Sequence, residues 1–146
     1  MARGATLNRT SNRFGLPERE ADGDWLDAQE AVDGAPPPVR TSVALLTPRT
    51  ILSYNRSPDI GFDRSVNPYN GCEHGCIYCF ARPSHAYHDL SPGIDFETRL
   101  FAKPDAPALL RSELAKPGYS VRPIAFGTNT DPYQPIEGEW RIARGC

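Results

Sequence analysis

Three of the four cysteines of this chain fall within eight residues, at Cys72, Cys76 and Cys79, while Cys146 is the last residue. Short loops gain little stability from a disulfide cross-link. Thiolates at positions i, i+4 and i+7 can instead converge on one inorganic centre. We therefore expect the three clustered cysteines to be metal ligands and Cys146 to be an ordinary core residue of a longer, uncut protein.

Two kinds of centre compete for these thiolates. Structural zinc needs four ligands, and the fourth would be His74, His85 or His88. A cubane iron-sulfur cluster on three cysteines keeps one iron without a protein ligand, which is an open position for a substrate or cofactor. The spacing favours the cluster over zinc, and unligated or disulfide-bonded thiols are the third alternative.

Composition and charge exclude several other classes of protein. The chain has 146 residues, of which 39% are hydrophobic and 23% are charged, as in one globular domain. A net charge of −2 is too small to attract a nucleic acid by electrostatics alone. The longest aliphatic run, Val43 to Leu46, is far shorter than the roughly 20 residues of a spanning helix, and residues 1–6 are not followed by the apolar stretch that predicts a secretory signal. We expect a cytoplasmic protein without membrane association.

The chain divides near residue 40. Residues 1–40 contain only six Leu, Ile, Val or Phe, and basic residues are followed there by a run of acids. Such a segment cannot bury enough apolar surface to fold. Pro36 to Pro38 then form a stiff extended spacer. The sequence predicts a disordered leader over 1–40 and a folded domain over 41–146.

Short strands and one helix must position the cysteines. Residues 65–69 are expected to form a strand that ends in an Asn-Gly turn, and the alternation over 96–100 predicts a strand with one buried face. Asp105 is expected to cap a helix that stops at 117–118, before a buried strand over 124–126. Strand, helix and strand in about thirty residues predict a βαβ unit with parallel strands.

Two polar loops follow predicted strands: the cysteine loop after Tyr69, and a Gly-Thr-Asn-Thr-Asp-Pro segment after Phe126. In parallel α/β folds the reactive groups gather beyond the carboxyl ends of the strands. The two loops are therefore expected to share a site. Residues 141–146 have the pattern of another helix that stops early, which predicts a truncated chain.

At these residues the chain resembles a known family. The CxxxCxxC spacing, with the aromatic Tyr78 before the last cysteine, is similar to the signature of radical S-adenosylmethionine (radical SAM) enzymes. The segments 67–72, 80–83 and 127–137 resemble the spore photoproduct lyase-like branch of that superfamily, including members without an assigned substrate. The resemblance covers roughly residues 41–146, as an amino-terminal fragment, and two motifs in order make it more specific than one cysteine triplet.

The resemblance implies an α/β fold, the amino-terminal part of a partial (β/α) TIM-like barrel. It also implies a [4Fe-4S] cluster on Cys72, Cys76 and Cys79, with S-adenosylmethionine chelating the fourth iron. Reductive cleavage of that cofactor would yield a 5'-deoxyadenosyl radical that acts on an unknown substrate, with electrons from a donor such as flavodoxin or ferredoxin. The chemistry belongs to the cofactors, and the protein supplies position and shielding.

The resemblance also implies residues that contact S-adenosylmethionine. Tyr78 matches the family aromatic near the adenine, with a packing role as the alternative. The loop after Phe126 matches the segment that receives the methionyl amino group, with a plain polar turn as the alternative; its members are Gly127, Thr128, Asn129, Thr130 and Asp131. Glu137 is a weaker candidate.

The same loop departs from the family pattern. It contains no cysteine, whereas spore photoproduct lyases carry a hydrogen-donor cysteine near it, so repair of that DNA lesion is not expected. The resemblance assigns no catalytic side chain here. Two other functions stay open: a structural zinc module, and a fragment that binds a cluster but catalyses nothing.

Overall fold

The computed structural model describes residues 4–5 and 40–146. Over residues 40–146 the chain is a mixed α/β structure of short elements. In chain order they are β1 (Ser42–Leu45), β2 (Leu52–Tyr54), β3 (Arg64–Val66), β4 (Tyr69–Asn70), a 3-10 helix (Arg82–His88), α1 (Ile94–Thr98), β5 (Arg99–Ala102), α2 (Ala106–Leu114), β6 (Ile124–Phe126), α3 (Glu137–Trp140) and α4 (Ile142–Gly145).

The strands form two three-stranded sheets. In the first, β5 lies between β1, to which it is parallel, and β4, to which it is antiparallel. In the second, β3 lies between β2, to which it is antiparallel, and β6, to which it is parallel. Because β3 and β6 run in the same direction, their carboxyl ends meet at one edge of the second sheet.

One apolar core joins the two sheets to the helices. Its fully buried members come from β2, β3, β4, β5, α2 and α4 and from the residue before β2: Ile51, Leu52, Val66, Tyr69, Ala102, Ala106, Leu110 and Ile142. Burying such side chains contributes roughly 1.5–3 kcal/mol each for the larger ones. The strands that precede the two polar loops are thus held by a shared core.

The helix and strand expected after residue 105 are confirmed in part. A helix occupies Ala106–Leu114, ending before the Pro-Gly stop, and a strand occupies Ile124–Phe126. The expected cap is wrong, because the Asp105 side chain makes no capping hydrogen bond. Pro107, in the first turn, has no N–H that would need a cap.

The strand expected over 96–100 is wrong in its first half. Phe96 and Thr98 lie in the helix α1, and the strand begins at Arg99. The alternation suggested that Glu97 faces solvent, yet its side chain is buried, with only 2% of the residue exposed. Its burial is explained by an ion pair with Arg82, which sequence periodicity does not encode.

The expected βαβ unit is also wrong, because β5 and β6 belong to different sheets. The strand expected over 65–69 is interrupted at Asn67 and Pro68, which separate β3 from β4. Residues 40–146 contain no closed barrel, and a partial TIM-like barrel stays a prediction.

The leader expected over 1–40 falls almost entirely outside the described residues. Of that stretch the structure describes Gly4, Ala5 and Arg40. In the part of the chain that is described, the helices are all too short or too polar to cross a membrane.

Candidate functional site

The pairing of β3 with β6 brings the two polar loops together, as the sequence predicts. The Gly127 N–H donates to the carbonyl of Val66, the last residue of β3, at 2.9 Å. Asn67, the next residue, accepts from the Asn129 N–H at 2.7 Å and donates to Thr128 Oγ1 at 3.1 Å. The buried Asn67 side chain therefore fixes the first turn of the loop after β6.

A second set of bonds ties that loop to the residue before the first cysteine. The Thr130 hydroxyl donates to the Gly71 carbonyl at 2.6 Å, across 59 residues of sequence. The Gln134 amide donates to Thr130 Oγ1 at 2.9 Å and to the same Gly71 carbonyl at 3.3 Å. Gln134 is 1% exposed, so its amide is committed to this link. We call Gly71, Thr130 and Gln134 the loop clamp.

Glu73 extends the link beyond the loop clamp. Its backbone N–H donates to Gln134 Oε1 at 3.0 Å, and its carboxylate accepts from the Ile136 N–H at 2.9 Å and the Thr41 hydroxyl at 2.8 Å. Hydrogen bonds to a charged acceptor are stronger than neutral ones. The cysteine loop is therefore bonded to the start of the domain and to the segment before α3.

The three cysteines occupy different environments on one loop. Cys72 is buried, Cys79 is partly buried and packs with Cys72 against Phe96, and Cys76 is exposed. All are free thiols. Within the described residues no three Cys, His, Asp or Glu side chains are grouped closely enough to hold a metal ion. Assembly of a three-thiol centre thus requires the thiols to come closer together than they are in this structure.

The surroundings of Cys72 favour its neutral thiol over the thiolate. Burial raises the pKa of the Cys72 thiol, while hydrogen bonds from the backbone at Asp131 and His74 oppose that shift. A bound cation would overcome the remaining cost of ionisation. Gly71 has a φ of 78°, and a Cβ there would lie 2.7 Å from Leu100 Cδ2, so only glycine fits the turn into Cys72. The donor groups of this loop, three thiols and nearby backbone N–H groups, are of the types that bind an iron-sulfur cluster.

Arg82 holds the far side of the cysteine loop. Its five N–H donors all have acceptors: Nε donates to the Cys76 carbonyl, Nη2 to the Gly75 carbonyl and to Glu97 Oε1, and Nη1 to two carbonyls at 92–93. The Arg82 to Glu97 distance is 2.5 Å, and the two side chains are 11% and 2% exposed. A planar guanidinium is the side chain that can satisfy five acceptors at once. Arg82 therefore fixes the backbone on either side of the Cys76 thiol.

None of the three histidines joins a group of thiols in this structure. His74 Nε2 lies 3.3 Å from Asp131 Oδ2. His85 is fully buried, with Nε2 2.9 Å from the Arg99 carbonyl and with Nδ1 buried without a partner. His88 stacks on Phe101 with ring centroids 4.0 Å apart. Burial lowers the pKa of His85 to about 4, so its imidazole is neutral at physiological pH.

His88 belongs to a polar chain that sequence patterns did not indicate. Lys103 Nζ donates to Asn70 Oδ1 and to the Asn67 carbonyl, each at 2.9 Å. The Asn70 amide nitrogen therefore faces His88 Nε2, at 2.7 Å, and that ring nitrogen accepts. Burial lowers the pKa of Lys103 to about 8. This chain lies beside β4, directly before the cysteine loop.

Tyr78 is 86% exposed, which contradicts the alternative of a packing role. Its neighbours Ile77 and Phe80 are also exposed, at 75% and 81%. Exposed apolar residues scattered singly are ordinary, but three in four positions beside free thiols form a local apolar surface. Stacking of Tyr78 on an adenine stays a prediction.

The five residues of the second loop have separate roles. Gly127 has a φ of 77°, Thr130 is buried in the loop clamp, and Asp131 accepts from the Tyr133 N–H at 2.8 Å. Thr128 and the Asn129 backbone bond to Asn67. The Asn129 residue is exposed, and the Asp131 oxygen that does not accept from Tyr133 lies 3.3 Å from His74 Nε2.

Glu137 has a structural role in this structure. Its carboxylate accepts from the Tyr69 hydroxyl through a very short contact, and from the N–H groups of Ala143 and Arg144 at 3.0 and 2.9 Å. These last two donors belong to α4, where a carboxylate also offsets the helix dipole. The hydrogen bonds from Tyr69 and from the α4 backbone lower the pKa of Glu137 against the opposing effect of burial, which is the largest single influence. Glu137 thus anchors α4 to β4.

An open cavity of about 780 Å³ lies beyond the carboxyl end of β6. Its lining includes Phe126, Tyr133, Gln134, Glu137, Arg141 and Arg144. Gln134 of the loop clamp lines the cavity as well, so the cavity adjoins the second polar loop. Its position matches the carboxyl-edge location typical of α/β sites.

The residues that sequence reasoning missed lie inside the segments that carried the resemblance. Asn67, Arg82 and Gln134 all belong to the matched stretches 67–72, 80–83 and 127–137. Each is largely buried and bonded to the backbone of one of the loops. The only available signal was their place in those stretches, because a polar residue type alone does not reveal its partner.

The comparisons with known proteins name relatives but no activity. An uncharacterised protein of Mycobacterium bovis and two uncharacterised proteins of Mycobacterium tuberculosis are each 49% identical to the chain over 84 residues. The match covers 58% of this chain and 25% of each relative, so the chain spans about a quarter of the length of the curated relatives it matches. No family model and no solved structure matches the chain.

Proposed function

We propose that the cysteine loop binds a [4Fe-4S] cluster and that the chain carries the cluster-binding part of a radical SAM enzyme. The observation that carries the proposal is the direct bond between the two motif loops at Gly71, where the Thr130 hydroxyl donates at 2.6 Å. A solitary zinc loop would need no such partner segment. A cofactor that contacts cluster and second loop together requires the two loops side by side.

In this proposal Cys72, Cys76 and Cys79 are the cluster ligands. The cluster, when bound with S-adenosylmethionine, supplies reductive cleavage of the sulfonium and hydrogen abstraction. The chain's own residues place the ligands: Arg82 holds the backbone at Cys76, and the loop clamp holds the backbone before Cys72. Buried Cys72 and Phe96 exclude water from the inner side of the loop.

S-adenosylmethionine is the proposed cofactor for the second loop and the cavity beside it. The Asn129 side chain and Asp131 offer acceptors to an ammonium group, and the Asn129 amide offers a donor to a carboxylate. Exposed Tyr78 offers an aromatic face to an adenine. The electron donor is proposed to be a reduced flavodoxin or ferredoxin, and the substrate class is not assigned.

Anaerobic reconstitution with iron and sulfide tests the proposal. We expect close to four iron and four sulfide per chain, and we expect Cys72→Ser, Cys76→Ser and Cys79→Ser each to abolish most of the bound iron. Cys146→Ser is the matched control, because this exposed thiol lies outside the loop. Addition of S-adenosylmethionine to the reduced protein should change its electron paramagnetic resonance spectrum.

Two outcomes would contradict the proposal. One tetrahedral zinc per chain without sulfide would assign the loop to a structural zinc module, with a histidine as fourth ligand. A cluster whose spectrum is unchanged at saturating S-adenosylmethionine would leave only the cluster-binding part of the proposal. The first outcome is read by metal analysis and the second by spectroscopy, so they are distinguishable.

A further inference from the structure

The cavity beyond the carboxyl end of β6 has two arginines on its wall. Arg141 and Arg144 both line it, and both residues are exposed. Neither guanidinium has a hydrogen-bond or ion-pair partner in the part of the chain that the structure describes. Among the described residues of the wall, Glu137 alone carries a carboxylate, which accepts from Tyr69 and from backbone N–H groups of α4. Two unpaired cations therefore border a cavity whose one carboxylate already has its donors.

The backbone of both arginines is bonded to Glu137. The Arg141 N–H donates to the Glu137 carbonyl at 3.0 Å, and the Arg144 N–H donates to Glu137 Oε1 at 2.9 Å. Arg141 also has a φ of 52°, in the left-handed region that residues with a long side chain rarely adopt. Strained positions of this kind persist only where the surroundings fix them, and they are common at binding sites. The two side chains thus start from fixed points on the wall of the cavity.

S-adenosylmethionine does not account for both arginines. It carries a sulfonium and an ammonium group against a single carboxylate, so it is a net cation, and two further positive charges do not favour it. The cavity, of about 780 Å³, lies within the usual range of about 300–1,000 Å³ for small-molecule sites. Phe126 and Tyr133 add exposed aromatic surface to its wall. These features suit a second small molecule that has a negative group and an apolar part.

We propose that Arg141 and Arg144 form an oxyanion site for the substrate, a small molecule with a phosphate or carboxylate group. A guanidinium can make two parallel hydrogen bonds to either group. The net charge of −2 argues against a nucleic acid, because a polyanion requires an extended positive surface. As a substrate site it rests on the proposed function, and it supplies the substrate class that the proposed function leaves open. As an anion site it does not depend on the cluster.

Titration of the full chain with phenyl phosphate and with benzoate tests the site, and benzamide is the neutral control. Gly138 and Ala143 line the cavity, so their amide resonances report on its occupancy. We expect these resonances to shift and to saturate with at least one of the two acids, and not with benzamide. The acid that binds more tightly identifies the oxyanion as a phosphate or as a carboxylate.

Two variants assign the binding to the arginine side chains. Arg141→Gln and Arg144→Gln should each raise the dissociation constant of the better probe about tenfold, because each removes hydrogen bonds to a charged group. Arg49→Gln is the matched control, since Arg49 is also exposed and without a partner among the described residues but does not line the cavity. The Arg49→Gln chain should bind the probe as the native chain does.

Equal shifts with benzamide and with the acids, or dissociation constants that stay unchanged in both cavity variants, would overturn the inference. Tighter binding of a DNA duplex than of either acid at physiological salt would overturn it as well, because that result indicates a polyanion. None of these titrations requires iron. A chain that binds an acid at the arginines but no cluster would contradict the proposed function and keep the anion site, so the two failures are distinguishable.

Discussion

Replacing Arg82 by methionine tests how the cysteine loop is held. The variant keeps an unbranched apolar stem like that of Arg82 but removes all five hydrogen bonds that the guanidinium makes. The Glu97 carboxylate then stays buried with the Ala5 N–H as a remaining donor. Removing one partner of a buried ion pair costs up to roughly 3–5 kcal/mol, because the other charge loses its counter-ion.

A loss of that size would remove a large part of the unfolding free energy, which is about 5–15 kcal/mol for typical domains. Arg82→Lys keeps the charge but supplies three donors from one point, so it should recover part of the loss. The double variant Arg82→Met, Glu97→Met removes the carboxylate together with the guanidinium. It should be less destabilised than Arg82→Met alone, which is the sign of direct coupling.

Urea unfolding, followed by far-UV circular dichroism, measures these differences in unfolding free energy when all variants share the same dependence on urea concentration. A loss below about 1 kcal/mol in Arg82→Met, with no recovery in the double variant, would refute the role given to the pair. Iron content after reconstitution gives a second measurement, because Arg82 also fixes the carbonyls on both sides of the Cys76 thiol.

Two further perturbations follow from the same geometry. Since burial lowers the pKa of His85 from 6.5 to about 4, the unfolded chain binds that proton first. The contribution of neutral His85 to the unfolding free energy is therefore fully present above pH 6.5 and falls by roughly 3 kcal/mol at most as the pH declines toward 4. In urea titrations, a His85→Gln chain should lose less unfolding free energy between pH 7 and pH 4.5 than the native chain does. Gly71→Ala should lower the unfolding free energy by about 2 kcal/mol or more, through its positive φ and the contact 2.7 Å from Leu100, whereas Gly61→Ala, with no atom near its Cβ, should stay within about 0.5 kcal/mol. Equal losses in the two glycine variants would contradict this account of the turn.

Local signals predicted local elements, and where they failed a distant partner was responsible. The apolar run Ile124–Phe126 and the helix Ala106–Leu114 follow from composition and from Pro and Gly breaks. The alternation over 96–100 suggested an exposed Glu97, but Arg82, fifteen residues earlier, draws that carboxylate inside. Distant partners also separate β5 from β6, because β5 pairs with β1 and β4 whereas β6 pairs with β3.

The proximity of the two polar loops was predicted from the clustering of strand ends in α/β folds. In the structure it comes from the pairing of β3 with β6, because β4, the strand before the cysteine loop, belongs to the other sheet. The bonds that hold the two loops were not predicted, because Asn67 and Gln134 have no pattern that distinguishes them from surface amides. The cysteine spacing identified three candidate ligands, which stay a prediction, but it did not indicate their unequal burial, which depends on Phe96 and on the packing of the loop.

The contact between Gly71 and Thr130, 59 residues apart, also sets an order of events during synthesis. Chains leave the ribosome from the amino terminus, so the cysteine loop emerges before the segment that supports it. Closing a connection of that length carries an entropic cost that the later bonds must offset. Until about residue 136 has emerged, the three thiols belong to a nascent loop without its partner. Under the proposed function, iron and sulfide would therefore meet a supported cysteine loop only after that point of translation.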